Sequence, residues 1–364
     1  MSKKYTFLLW VLSTFLVVSC SEDETYVPID EPAPVSPVNF DMASVPYDTL
    51  SEYNFFDGSM ANLDPVYGVV PYTIINTLFS DYAKKKRFVW MPSDVKASYN
   101  GDNAPLVFPI GTILIKNFYY DNVLPEGNTR ILETRLMIRK TEGWVFANYK
   151  WDEQQTEATL DMNGSFEEFE WEEAGQVKSV RYRIPAGPEC QTCHKTGEDI
   201  PLPIGPKPRN LNLNYTYDDG VMNQFVKLIE MNYLEDNLPA SIATMVSWKD
   251  TSASLNDRVR AYVDINCAHC HTEEAHCAYR PVRFSYEDTV DPVNLGVCVE
   301  PDTDLGVGMT HIVNPDNVLR SVMYYRLNTE DEAVRMPLLG RTIIHEEGVQ
   351  LIFDWNSSLD SSCN

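Results

Sequence analysis

The chain has 364 residues, of which 44% are hydrophobic, 12% aromatic and 23% charged. These fractions are close to those of soluble globular proteins, so they exclude extended disorder and a protein with many membrane spans. The formal net charge of -24 excludes the basic surface that binding to nucleic acid requires. A chain of this length can hold two domains, and its 8 cysteines are too few for a disulfide scaffold.

Residues 1–19 have the order of parts of a secretory signal peptide, because Lys3 and Lys4 precede a short apolar run. The run is too short for a good membrane span. Its end, Val17-Val18-Ser19-Cys20, resembles the lipobox of bacterial lipoproteins, in which the cysteine thiol takes a diacylglyceryl group and becomes the first residue. We therefore expect Cys20 to be lipidated. An ordinary signal peptide that contains a cysteine is the alternative.

Residues 20–45 form an acidic and proline-rich segment that includes the run Glu22-Asp23-Glu24. Such a segment cannot bury enough apolar surface to fold, and its prolines favour an extended spacer. The acidic run resembles a surface-export signal of some bacterial lipoproteins. We expect a tether between a lipid anchor and a soluble body in the cell envelope, at the outer membrane. The anchor is the one expected membrane contact, and the leaflet stays open.

Residues 46–185 contain runs of β-branched and aromatic residues between turn residues, which is the pattern of β-strands. The predicted strands are Thr112–Tyr120, Ile131–Arg139, Gly143–Tyr149 and Ser179–Ile184. The predicted fold class is therefore α+β, with an N-terminal antiparallel β domain that is a sandwich or an open barrel. No catalytic motif is visible in this part, so we expect it to be a folding and docking module.

After Pro185 the pattern changes to helices and long loops, which we divide into a first segment at 186–250 and a second at 251–364. Ser254 can cap a helix that runs to Asn266 with one apolar face. A second apolar stripe near the C-terminus predicts another helix, in which Gly348 allows a close helix approach. The second half is expected to be mainly α-helical.

Two five-residue motifs carry the chemistry of the chain. They are Cys190-Gln191-Thr192-Cys193-His194 and Cys267-Ala268-His269-Cys270-His271, and their pattern, C-x-x-C-H, is typical of covalent attachment of a c-type heme. The two thiols of each motif can add across the vinyl groups of one heme, and the following imidazole can bind the iron. We therefore predict two covalent hemes c, with His194 and His271 as iron ligands.

Two other interpretations of the motifs remain open. A zinc site built from the two C-x-x-C pairs is disfavoured, because zinc ribbons space such pairs by about 15–20 residues. Zinc also leaves the histidine after each pair unexplained. A pair of disulfides in an exported protein is the other alternative.

The second heme has a candidate sixth ligand in Met336, which lies between His271 and the predicted C-terminal helix. A helix, the motif, a late methionine and a closing helix follow one another in the same order in class I cytochromes c. Ligation by methionine raises the reduction potential, which suits an electron carrier. For the first heme, Met222, Met231 and Met245 are candidates, and an open or water-bound position is the alternative.

Inside the second motif, His269 occupies a variable position, where we expect the side chain to face solvent. Outside both motifs and the lipobox, three cysteines remain, and in an oxidising compartment two of them should pair. We expect a disulfide between Cys298 and Cys363, and a pair of Cys277 with Cys298 is the rival. The sequence does not decide between them.

Several long segments carry a resemblance to a known family; they are 78–88, 108–112, 189–194, 204–207, 266–271, 336–341 and 345–348. From about Leu78 to Cys363 the chain resembles a family of secreted bacterial diheme c-type cytochromes, in which a β-rich N-terminal region precedes a cytochrome c domain. The resemblance implies heme binding at both motifs and Met336 as an axial ligand. It implies no substrate.

These observations favour electron transfer in the bacterial cell envelope, between redox partner proteins that the sequence does not identify. In such a protein the chain supplies axial ligands, dielectric and orientation rather than bond chemistry. One alternative is an enzyme, a diheme peroxidase or oxidase with an open iron position at one heme. Another is a binding module in which the β domain docks the cytochrome to a surface complex. Reduction potentials and oligomeric state do not follow from the sequence.

Overall fold

The structure is a computed structural model, and it describes residues 34–195, 197, 200–306, 308–360 and 362–363. The predicted signal peptide, Cys20 and most of the predicted tether lie outside these residues. Residues 36–364 make one compact unit. The helices of the described residues are too short or too polar to reach across a lipid bilayer.

An antiparallel sheet of eight strands dominates the first half of the described chain. The first six strands pair in the order β1-β2-β3-β4-β5-β6, and β7 pairs with both β3 and β8. Their bounds are Val70–Tyr72 (β1), Lys84–Trp90 (β2), Ile113–Val123 (β3), Asn128–Lys140 (β4), Gly143–Trp151 (β5), Ala158–Leu160 (β6), Ser165–Glu173 (β7) and Gln176–Ile184 (β8). The predicted antiparallel β region is confirmed.

The four predicted strands correspond to β3, β4, β5 and β8, whereas the sequence pattern did not show β2 and β7 as strands. Strand β2 begins with the cationic run Lys84-Lys85-Lys86-Arg87, and β7 is rich in glutamate. Neither has the clean apolar alternation of a half-buried strand, because the polar face of β2 borders a cavity and that of β7 is exposed.

The two faces of the sheet differ in character. Phe88, Ile115, Leu136 and Ala147 are cross-strand neighbours on β2 to β5, and all four are almost completely buried. They form a core with aromatic residues of the preceding segment, among them Tyr53. Because successive side chains of a strand point to opposite faces, the intervening residues point to the other side, toward the second half of the chain.

Six α-helices lie in the described part of the second half, joined by long segments without regular structure. Their bounds are Gly187–Cys193 (α1), Pro208–Leu211 (α2), Gln224–Glu230 (α3), Leu255–Asn266 (α4), Val322–Leu327 (α5) and Glu346–Ser357 (α6). A hairpin of β9 (Asn214–Tyr217) and β10 (Gly220–Asn223) precedes α3. Single-turn 3-10 helices occur at Ser51–Tyr53, Met60–Asn62, Asp288–Val290 and Val318–Arg320.

Helix α4 forms as the sequence predicts. The Ser254 hydroxyl caps it by accepting a hydrogen bond from the Asp257 backbone N–H at 3.1 Å. Val259, Tyr262 and Val263 are buried along its apolar face. The helix ends at the second C-x-x-C-H motif, so its packing positions that motif.

Helix α6 packs against α4 at the glycine that was predicted to allow a close approach. A Cβ atom on Gly348 would clash with the Tyr262 side chain, so a larger residue does not fit there without movement. Further along α6, the buried Trp355 donates a hydrogen bond from Nε1 to Oδ1 of Asn256 at 3.1 Å. The predicted close approach is confirmed.

The compact unit begins at Ser36. Val38 and Phe40 pack against the sheet core, and the Asn39 backbone N–H donates to the Tyr53 carbonyl at 3.0 Å. The apolar side chains at the end of the predicted tether therefore pack against the core of the sheet.

Candidate functional site

The first C-x-x-C-H motif lies at the end of helix α1. At the start of this helix, the Glu189 carboxylate accepts a hydrogen bond from the Ala186 N–H at 2.9 Å. At its end, the His194 backbone N–H donates to the Cys190 carbonyl at 3.0 Å. Both cysteines and the histidine are thereby held on one turn of backbone.

The imidazole of His194 is oriented by the loop that follows it. Its Nδ1 lies 2.8 Å from the Leu202 carbonyl oxygen, which can only accept, so Nδ1 carries the proton. Burial lowers the pKa of His194 to about 4, which keeps the ring neutral at physiological pH. Nε2 is then the nitrogen with a lone pair for a metal ion.

The second motif lies at the end of helix α4. The Cys267 N–H donates to the Val263 carbonyl at 2.8 Å, and the His271 N–H donates to the Cys267 carbonyl at 3.0 Å. Burial lowers the pKa of His271 to about 4. Its Nδ1 is buried and has no hydrogen-bond partner among the described residues. A buried imidazole nitrogen of this kind is costly unless something binds it.

The second motif opens into an apolar cavity of about 1120 Å³, counting the space open to solvent. His271 and Met336 both line this cavity, so the structure brings the two predicted iron ligands to one site. Met323 lines the cavity as well. The Met336 N–H donates to the Arg326 carbonyl at 2.9 Å, which fixes the backbone that carries the thioether.

The first motif borders a separate cavity of about 1330 Å³ between the sheet and the second half. Of the described methionines, Met137 on β4 is the one that lines it. Met222 and Met231 lie at the hairpin and at the end of α3, partly buried against another core cluster. Met245 is buried in the core around α4. The structure thus places none of the three predicted candidates on this cavity.

The two cavities adjoin, because Cys193, His269, Pro337 and Leu339 line both of them. At this place the ligand atoms of Cys193, His269 and Cys270 all lie within 4.8 Å of one another. Since the cysteines belong to different motifs, the thiol ends of the two motifs face each other.

His269 differs from the sequence prediction. Its side chain lies between the cavities, and its Nδ1 is buried without a hydrogen-bond partner in the described structure. The reason is that the first motif covers the second one at this place. The Cys270 thiol donates a hydrogen bond to the Thr192 carbonyl of the first motif at 3.3 Å. An isolated motif would leave that side chain in solvent.

An ion pair also joins the segments that carry the two motifs. Lys207, in the loop after the first motif, lies 3.0 Å from the Asp264 carboxylate on α4. Both side chains are largely buried, and Asp264 also accepts from the Tyr286 N–H at 3.0 Å. Neither this ion pair nor Met137 has a signal in the local sequence, because nothing in the pattern around these residues points to a partner so distant in the chain.

A disulfide joins Cys298 to Cys363, which is the pairing expected from the sequence. It connects the C-terminal end to the segment after the second motif. Cys277 is a buried free thiol. Its backbone N–H donates to the Cys270 carbonyl at 2.8 Å, so it supports the motif through its main chain.

The residues present fit two covalently attached hemes. Each cavity is comparable with the 300–1,000 Å³ of typical cofactor sites, with additional volume open to solvent. Each is lined by the two thiols and the final imidazole of one C-x-x-C-H motif, which is the donor set that a c-type heme uses. In comparisons with family models, curated proteins and solved structures, the chain matches none.

Proposed function

We propose that the protein is a diheme c-type cytochrome that transfers electrons in the bacterial cell envelope. The observation that carries the proposal is that both C-x-x-C-H motifs end in partly buried imidazoles on large adjoining cavities. The second cavity is lined mainly by apolar side chains. Each heme, once bound, takes up and releases one electron at its iron. The roles of the chain's own residues follow from their positions.

At the first site, Cys190 and Cys193 would hold the cofactor through thioether bonds, and His194 would bind its iron. The Leu202 carbonyl accepts the Nδ1 proton of His194, which orients the ring and strengthens Nε2 as a ligand. At the second site, Cys267 and Cys270 would have the same role, and His271 would bind the iron.

We further propose that residues 251–364 form a mainly α, cytochrome c-like domain. Helix α4 leads into the motif, Met336 lines the same cavity as His271, and α6 closes on α4. Met336 would then offer its thioether to the iron, and a thioether ligand favours the reduced state of the site.

The adjoining cavities suggest a route for electrons between the two sites. Because Cys193 and Cys270 face each other, cofactors attached to the two motifs would be held next to each other. Electrons can then pass between the sites inside one chain, from a donor protein at one cavity to an acceptor protein at the other. A lipid anchor on Cys20 would keep this path at the membrane surface, where redox partner proteins of the envelope lie.

The test is the mass and the optical spectrum of the exported chain, made in a host that matures c-type cytochromes. We expect a mass gain of two hemes and an absorption spectrum of thioether-bound heme. Cys190→Ala together with Cys193→Ala should remove one heme, and Cys267→Ala together with Cys270→Ala should remove the other. Cys277→Ala is the matched control, since this buried cysteine lies outside both motifs.

A colourless chain without added mass would overturn the proposal. A metal site is the competing outcome, because Cys193, His269 and Cys270 could also hold one transition-metal ion. In that case His269→Ala would abolish metal binding. With hemes attached, the same variant should retain both of them.

A diheme peroxidase is the second candidate function, and Asn148 favours it. This side chain lines the first cavity, and both its Oδ1 and its Nδ2 are buried without hydrogen-bond partners in the described structure. Such an amide can bind a small polar molecule. Hydrogen peroxide turnover that is lost in Asn148→Leu would support this role, and absence of turnover would leave electron transfer.

A further inference from the structure

One row of polar side chains crosses the sheet where it borders the first cavity. Tyr72, Arg87, Lys116, Arg135 and Asn148 are successive cross-strand partners on β1 to β5. Directly paired residues point to the same face of a sheet, and all five side chains line the cavity that also contains Cys190 and His194. Three of the five are cations.

Two of these cations have no anionic partner in the described structure. Arg87 is only 5% exposed, yet it makes no hydrogen bond or ion pair with a described residue. Lys116 also has no ion pair there, and its ammonium lies 4.7 Å from the centre of the Phe118 ring. A buried charge without a partner is strongly unfavourable, so such a pair points to an anion that the chain does not supply.

The third cation is partly compensated. Arg135 forms a bidentate ion pair with Glu133, through Nε to Oε2 at 2.9 Å and through Nη2 to Oε1 at 2.5 Å. Glu133 is fully buried and also accepts a hydrogen bond from the Tyr182 hydroxyl at 2.6 Å. This carboxylate is thus committed to Arg135 and Tyr182, which leaves the charges of Arg87 and Lys116 uncompensated.

The rest of the cavity wall suits the body of a flat apolar ligand. Ile74, Leu114, Met137, Phe146 and Ile265 line it beside the cationic row. A heme combines such a body with two carboxylates on one edge, and the thiols for its attachment lie in the same cavity. An inorganic anion alone would match the cations but leave the apolar wall without a function.

We propose that Arg87 and Lys116, with Arg135 beside them, bind the two carboxylates of the heme attached to the first motif. This inference rests on the proposed function. It makes the sheet part of the first heme site, rather than a separate docking module. When the heme carboxylates bind them, both side chains would carry their positive charge next to the cofactor, which would stabilise its reduced state. The sheet would therefore raise the reduction potential of the first heme.

The experiment uses the full, heme-loaded chain and compares Arg87→Gln and Lys116→Gln with the unmodified protein. Lys86→Gln is the matched control, because Lys86 lies next to Arg87 on β2 but points to the opposite face. There its ammonium donates to the Leu63 carbonyl at 2.8 Å. Spectroelectrochemical titration measures both reduction potentials, and redox-difference infrared spectra report the heme carboxylate bands.

We expect each cavity variant to retain two hemes and to shift the reduction equilibrium of the first heme about tenfold toward the oxidised state, or about 59 mV for a one-electron couple. The heme carboxylate bands should shift as well. The second heme should be unchanged, and Lys86→Gln should match the unmodified protein. Arg87→Lys should recover part of the lost potential because it restores the charge.

Failure of the inference can be told apart from failure of the proposed function. If the chain binds no heme, the proposed function fails first. If both hemes are present but neither the first potential nor the carboxylate bands change in Arg87→Gln and Lys116→Gln, the inference alone is wrong. If Arg87→Gln does not fold, Lys116→Gln alone tests the inference, because Lys116 is partly exposed and its replacement disturbs the core less.

Two further results would also overturn the inference. A shift of the first potential on addition of inorganic phosphate, lost in Arg87→Gln, would show that the cations bind a free anion instead. A changed spin state in Lys116→Gln would assign the lysine amine to the iron. With the heme carboxylates bound as proposed, phosphate has no effect and the spin state stays the same.

Discussion

The carboxylate of Asp81 accepts hydrogen bonds from both the backbone N–H and the side-chain hydroxyl of Thr342, at 2.6 and 2.9 Å. The Ile343 N–H donates to the same carboxylate at 3.1 Å. Asp81 precedes β2, whereas Thr342 follows the segment of Met336, so the contact joins the sheet region to the loop of the proposed sixth ligand. Asp81 is 1% exposed, and burial raises its pKa.

Replacing Asp81 with asparagine should destabilise the protein by about 1–3 kcal/mol. The carboxylate accepts from two backbone N–H groups and one hydroxyl, whereas the amide has a single acceptor oxygen and an NH2 group that cannot accept. Thermal and urea unfolding measure the change. Thr342→Val removes the hydroxyl alone and should cost less. The exposed Asp94→Asn is the control and should leave stability unchanged. Equal stability of Asp81→Asn and the unmodified chain would contradict this account of the contact.

Gly348→Ala should lower the unfolding free energy by about 1–3 kcal/mol, which is the usual cost of forcing an extra methyl group into a packed interface. The added Cβ would meet the Tyr262 side chain where α6 crosses α4. Urea unfolding with the hemes attached measures the effect. Gln350→Ala lies on the exposed side of the same helix and should change little. A Gly348→Ala protein as stable as this control would disprove the close approach.

His345 should make stability depend on pH. Burial lowers its pKa to about 4, below the ordinary 6.5, so the unfolded chain binds the extra proton between these values. Its stabilising contribution is therefore present above about pH 6.5 and is lost as the pH falls toward 4. The charges that act on it are those of Glu347, Lys249, Lys85 and Arg341, and the Tyr262 hydroxyl and the Tyr82 ring contact it directly.

The change that tests this is His345→Gln, compared with the unmodified protein in urea unfolding at several pH values from 4 to 7. The variant should show a shallower loss of stability toward acid, whatever its stability at pH 7. Ile344→Val alters the neighbouring packing without removing a titratable group, so it should keep the original slope. An identical slope in His345→Gln would mean that another group causes the dependence.

Met336→Leu should lower the reduction potential of the second heme and leave the first unchanged, because a thioether ligand favours the reduced state. Optical and redox titration of the heme-loaded chain measures both sites. Met323→Leu is the matched control, since this methionine lines the same cavity without being the proposed ligand. If Met323→Leu changes the reduction potential of the second heme more than Met336→Leu does, Met323 and not Met336 is the sixth ligand.

The local sequence pattern was sufficient to predict helices and strands that are stabilised by neighbouring residues in the chain. The Ser254 cap and the apolar spacing after it predict α4, and the β-branched runs predict β3, β4, β5 and β8. The C-x-x-C-H spacing predicts the donor set because all its atoms lie within five residues. Strand β2 was missed because four consecutive cations hide the alternation of its faces: Lys84 is exposed, whereas Arg87 is buried and borders the first cavity.

By itself, the sequence determined the two motifs, four of the eight strands of the central sheet and the glycine at the helix crossing. Only the tertiary structure decided that Cys193 and Cys270 face each other and that Arg87 and Lys116 border the first cavity. The physical reason is that periodicity tells which residues share a face, but not which distant segment covers that face. Such contacts depend on how the whole chain buries its apolar surface, and no local pattern records that outcome.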